Sequence, residues 1–116
     1  MSDPQMIPAK RWPTFFDDLA SSHVGKGVYV IEGDLMNDVP DDQYAPLQAL
    51  AIKKKHLHHY DFSASVSKSD GTQDYSLKHI NLVWAVYDSY HNVTALEVVD
   101  NDGSKLTFNF APEDDD

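Results

Sequence analysis

At 116 residues, with 41% hydrophobic and 11% aromatic residues, the chain is one domain's worth of polypeptide with a modest core. That balance excludes wholesale disorder, and the length leaves no room for separate cofactor and substrate domains. There is no cysteine and the net charge is -10, which excludes disulfides, thiolate metal sites and cysteine nucleophiles.

The acidity is local. Asp34, Asp38, Asp41 and Asp42 lie in a stretch without lysine or arginine, and Glu113 to Asp116 form a second acidic block. Without those eight acids, eleven remain against nine bases. A solvated loop and a frayed tail account for this pattern, as does an acidic surface that docks a basic partner. The first ten residues hold no apolar run, so no Sec-type leader is expected there. No stretch approaches the roughly 18 apolar residues of a membrane span.

In chain order, residues 1–9 read as a loose lead-in. The spacing predicts a helix of about 10 residues from near Thr14. Thr14 and Asp17 have the spacing of a capping box, Phe15 and Leu19 share a face, and Gly25 supplies the stop. Val28 to Ile31 read as a strand, and Gly33 to Tyr44 as a long acidic loop. Leu50 and Ile52 begin a second strand that runs into Lys53, Lys54 and Lys55. Tyr60, Phe62, Ala64 and Val66 alternate with polar residues, which marks a half-buried strand before the Ser69-Asp70-Gly71 turn. Ile80, Leu82, Trp84 and Val86 share one face of the next strand, and Val83, Ala85 and Tyr87 the other, as in a strand central to its sheet. Ala95 to Val99 and Leu106 to Phe110 flank Asp100-Asn101-Asp102-Gly103-Ser104, the strongest hairpin signal in the chain.

The expected fold is therefore α+β: an N-terminal helix packed on one face of an antiparallel sheet of about five or six strands. A single domain is expected over 1–116, with an ordered core over about 10–110 and an acidic tail over 111–116.

Few residues offer chemistry. His56 and His58 project to one side of a strand, about 6–7 Å apart, and could share a metal ion with His79, His91 or an acid as third ligand. Two histidines make no motif, and His58 shares the parity of Tyr60 and Phe62 at the core edge. Lys53 to Lys55 are the one basic cluster. A charged strand end that discourages edge pairing explains them better than direct nucleic-acid binding, which needs a broad basic face. Asp100 to Gly103 lacks the closing acid and flanking helices of an EF-hand. The carboxylate pairs Asp17/Asp18 and Asp41/Asp42 have no buried context for acid–base work. Ser63, Ser65 and Ser67 lie on a wet face outside any nucleophile elbow, and no phosphate-binding glycine loop is present. No catalytic residue and no cofactor are expected.

Trp12 with Phe15-Phe16-Asp17, Gly25-Lys26, Pro46-Leu47 and the hairpin from Ala95 to Gly103 form a layout over residues 7–110. It resembles a small bacterial family of unknown function, DUF five-three-three-five. The resemblance implies a compact bacterial domain and carries over no catalytic residue. The segment Lys53 to Lys78 departs from that pattern.

The sequence thus points to a non-catalytic cytoplasmic protein-interaction module, monomeric or homodimeric, with an unidentified protein partner. The interface residues would be Asp34, Leu35, Met36, Asp38, Asp41, Asp42 and Tyr44, where acids mix with large apolar side chains. Two other readings stand beside it. One is an acidic inhibitor or decoy, of immunity or phage counter-defence type, that blocks a basic nucleic-acid-binding protein. The other is a small metal-binding protein using His56 and His58.

Overall fold

A computed structural model describes residues 4–32, 44–56 and 59–111. After a two-residue strand β1 (Gln5–Met6) and a 3-10 turn (Ala9–Arg11) comes the helix α1 (Trp12–His23). Seven further strands follow: β2 (Gly27–Glu32), β3 (Ala45–His56), β4 (His59–Lys68), β5 (Gly71–Leu77), β6 (Ile80–Tyr87), β7 (Val93–Asp100) and β8 (Lys105–Phe110). All pairings are antiparallel, in the order β1-β6-β7-β8-β2-β3-β4-β5.

The α+β architecture agrees with the sequence, but among the described residues the sheet has eight strands rather than five or six. Two additions explain the difference. β1 forms within the supposed lead-in because Gln5 and Met6 pair with Ala85 and Trp84. β5 is a mostly exposed, polar edge strand with no apolar alternation to reveal it.

The helix starts at Trp12, two residues earlier than expected, and Thr14 lies inside it. No side-chain hydrogen bond caps its N-terminus, so the Thr14/Asp17 capping box does not form. Instead the 3-10 turn leads into it, with Arg11 N–H donating to Pro8 O, and Pro13 sits in the first turn where its missing donor costs nothing. Gly25, at φ +95°, turns the chain out of the helix toward β2. β3 likewise begins at Ala45, well before Leu50.

The sheet cannot be flat. β5 and β6 are joined by Lys78 and His79 alone, so Leu77 and Ile80 lie at most about 11 Å apart. In the pairing order they are six strands apart, which in a flat sheet would be about 29 Å. The sheet therefore folds back, with β3-β4-β5 facing the other five strands. Phe108 on β8 meets Phe62 on β4 (ring centroids 5.5 Å apart) and Tyr75 on β5 (6.4 Å). The helix closes the core between the halves. Its Phe16 packs on Phe62 at 5.7 Å, Trp12 on Tyr60 at 5.7 Å, and His23 on Phe110 at 4.3 Å. A buried hydrogen bond from Trp12 Nε1–H to Ile7 O (2.8 Å) fixes the entry of the chain.

Candidate partner-docking face

Pleating assigns the two faces of the β6-β7-β8 region. Val83 and Ala85 (both 0% exposed), Leu96, Val98, Leu106 and Phe108 point into the core. Leu82, Trp84 and Val86 on β6, and Ala95, Glu97 and Val99 on β7, therefore point outward. One departure from simple alternation is Ile80: the register shifts between Ile80 and Leu82, and Ile80 is buried rather than sharing the face of Trp84.

Register sets neighbours on the outer face. Met6 lies opposite Trp84, Trp84 opposite Glu97, and Glu97 opposite Thr107. Val86 lies opposite Ala95 in the adjoining row. Directly opposed side chains sit about 5 Å apart at Cβ, so these rows form continuous patches. Pro4, Trp84, Val86, Ala95, Glu97 and Thr107 line a groove of about 290 Å³. Met6 beside it is 52% exposed. A solvent-facing sheet surface of this kind ordinarily carries polar side chains; here an indole and branched aliphatics stand in their place.

Two other cavities offer less. One of about 620 Å³ lies between the β5 edge and the β7-β8 turn, where Glu32, Asp74 and Lys105 are spread along an open wall. Asp74 there accepts from Ser65 Oγ at 2.8 Å. The other, about 240 Å³, runs beside the helix past Arg11, Asp18, His23 and Tyr87. Both ring nitrogens of His23 already face backbone carbonyls, Nδ1 at 3.1 Å from Leu19 O and Nε2 at 3.0 Å from Val93 O. That ring tethers helix to sheet and has no nitrogen left for a substrate.

Of the residues expected to bind a partner, Asp34, Leu35, Met36, Asp38, Asp41 and Asp42 lie outside the described residues. Tyr44 is half-buried and packs over the start of β2. A Cβ on Gly27 would stand 3.2 Å from that of Tyr44 and 3.3 Å from that of Ala111, so glycine permits this close junction.

The histidine expectation also lands differently. His58 lies outside the described residues, and His56 is placed by backbone pairing with His59. The rings brought together are His59 and His79, with centroids 3.9 Å apart and planes 33° from parallel. His79 sits in the β5-β6 corner at φ 56°. Its N–H donates to Asp61 Oδ1 (3.0 Å) and its carbonyl accepts from Asn101 N–H (3.0 Å). The stack therefore locks the fold-back corner. Among the described residues, no group of three or more His, Asp or Glu is placed to hold a metal ion.

Lys53, Lys54 and Lys55 are exposed on β3. Among the described residues, β2 and β3 pair only at Gly27/Pro46 and Val28/Ala45. The lysines lie far along β3 from that short junction, and Lys55 reaches Asp61 at 4.0 Å. This suits charges that guard an exposed strand edge.

The Asp100 loop is a hairpin. Asp100 Oδ1 accepts from the N–H groups of Asp102 and Ser104, both at 2.9 Å, with Gly103 at φ 91°. The β6-β7 turn repeats the plan: Asp88 Oδ1 accepts from Tyr90 (2.8 Å) and Asn92 (2.9 Å), with His91 at φ 66°. These backbone donors, chiefly Asn92, hold the Asp88 carboxyl below the ordinary aspartate range. In both turns the acid is consumed by loop geometry.

No helix among the described residues is long and apolar enough to cross a membrane. No family model matches this chain, and no curated protein or solved structure matches it either.

Proposed function

We propose that this chain is a non-catalytic, cytoplasmic protein-interaction module that docks its partner on the outer face of β6 and β7. The observation that carries the reading is Trp84: a half-buried indole on the solvent side of the sheet, flanked by Met6, Val86 and Ala95 around an open groove. Tryptophan and methionine are enriched at the centres of protein interfaces, and Glu97 and Thr107 stand beside the apolar patch. The absence of cysteine suits a reducing compartment.

Affinity capture from the native source, repeated with Trp84→Ala, tests the reading. Truncating a central interface tryptophan costs about 2 kcal/mol or more, roughly a 30-fold loss of affinity. A stoichiometric partner held by the native chain should be lost with Trp84→Ala and kept with Tyr90→Ala, which alters an apolar ring 83% exposed at the β6-β7 turn. Equal retention by both variants would refute docking at this face. Circular dichroism and thermal melting establish that each variant is folded.

A further inference from the structure

We propose that the groove takes an arginine side chain from a short segment of the partner protein. This rests on the docking reading above and names the chemistry it would recognise.

Three observations converge. Trp84 and Glu97 are directly opposed on β6 and β7 and line the same groove. An aromatic surface beside a carboxylate matches a guanidinium, which stacks on rings and donates to carboxylates in one planar group. Lysine, a compact ammonium on a flexible stem, uses the indole less well. Second, Glu97 is the one charged residue among the described residues that line the groove. The apolar remainder, Val86, Ala95 and Pro4, suits the aliphatic stem of the same side chain. Third, the chain carries a net charge of -10, which draws cationic segments toward it and speeds their encounter.

Size argues against a second copy of this chain as occupant. Four strands spaced about 4.8 Å apart, with three outward rows, present on the order of 300 Å². A stable protein–protein interface needs about 800 Å² from each partner. The groove, about 290 Å³, is at the lower end of small-ligand pockets and fits one long side chain with its neighbours.

The experiment uses the ¹⁵N-labelled full chain. Its two tryptophans give two indole N–H signals, assigned with Trp84→Phe. The probes are acetyl-Leu-Arg-Leu-amide and the same peptide with citrulline, which keeps the shape and removes the charge. The arginine peptide should shift the Trp84 indole signal saturably and leave that of buried Trp12 in place. The citrulline peptide should bind about tenfold more weakly, the combined effect of losing one cation–π contact and one ion pair. Glu97→Gln should erase most of that distinction, and salt near 0.5 M should weaken the arginine peptide alone. Equal binding of both peptides would overturn the arginine proposal and leave the docking face standing. No shift from either peptide at about 10 mM, beyond the millimolar range expected of so small a ligand, would overturn both.

Discussion

Replacing Gly103 by alanine should destabilise the protein by about 1 kcal/mol, while replacing His91 by glycine should not destabilise it by that amount and is expected to help slightly. The two residues hold the same place in turns of the same design. Each is the third residue after an aspartate whose Oδ1 caps two backbone N–H groups, and each has a positive φ, 91° for Gly103 and 66° for His91. A Cβ on Gly103 would meet nothing within 4 Å, so no packing clash enters. What remains is the left-handed backbone, about 1–2 kcal/mol against an L side chain, less about 0.4–1 kcal/mol gained by restricting the unfolded chain. At position 91 the signs reverse. Histidine already bears the left-handed cost, and glycine would remove it while loosening the unfolded state. Its ring contact with Tyr87, at 6.4 Å between centroids, is on the exposed side of the turn and adds little. Urea unfolding followed by circular dichroism should give unchanged m-values and shifted midpoints. For a domain of this size 1 kcal/mol corresponds to about 3–6 °C in melting temperature. If Gly103→Ala is as stable as the native chain, or His91→Gly loses more than Gly103→Ala does, the shared-turn reasoning fails.

Phe108→Ala should cost about 3–5 kcal/mol, because Phe108 is fully buried where the folded-back halves meet Phe62 and Tyr75; chemical denaturation would show it, and a loss under 2 kcal/mol would mean the halves are not joined there. Trp12→Phe should cost about 1 kcal/mol from its buried bond to Ile7 O, read in the same assay, and no change would argue that Ile7 finds another donor. Asp88 has a folded pKa below its unfolded value, so it stabilises the protein above the ordinary aspartate range, and this contribution fades as pH falls through the folded pKa. The melting-temperature gap between the native chain and Asp88→Asn should therefore hold at neutral pH and close as the pH falls below the ordinary aspartate range; a gap that widens on acidification would contradict the assignment.

What could be read from the sequence was whatever local pattern encodes. Phe15, Phe16 and Leu19 marked the buried helix face, Phe62, Ala64 and Val66 the inward side of β4, and Asp100 to Gly103 the turn between β7 and β8. The parity of Trp84 and Val86 was also visible, although a strand apolar on both faces reads as sandwiched between two layers. The contacts that hide from sequence are those made at distance. Gln5 and Met6 are a strand only because β6 accepts them. His79 meets His59 through a corner two residues long, and no spacing rule pairs them. Ile80 turns inward through a bulge. The polar run of β5 carries no period, since an edge strand exposes most of its side chains.

The place of β8 bears on how the chain comes to be assembled. β8 pairs with β7 on one side and with β2 on the other, from Val28/Phe110 to Glu32/Leu106. During synthesis β2 emerges before the other long strands and β8 after them, so β2 has its main mate only when nearly the whole described chain is out. The meander β3-β4-β5 has only short turns to close and can form while β2 waits. In that interval the edge of β2 that β8 will cover, with Val28, Val30 and Ile31, is open to other chains. The arrival of β8 would both complete the sheet and end that exposure, making its insertion the point at which the nascent protein becomes safe from aggregation.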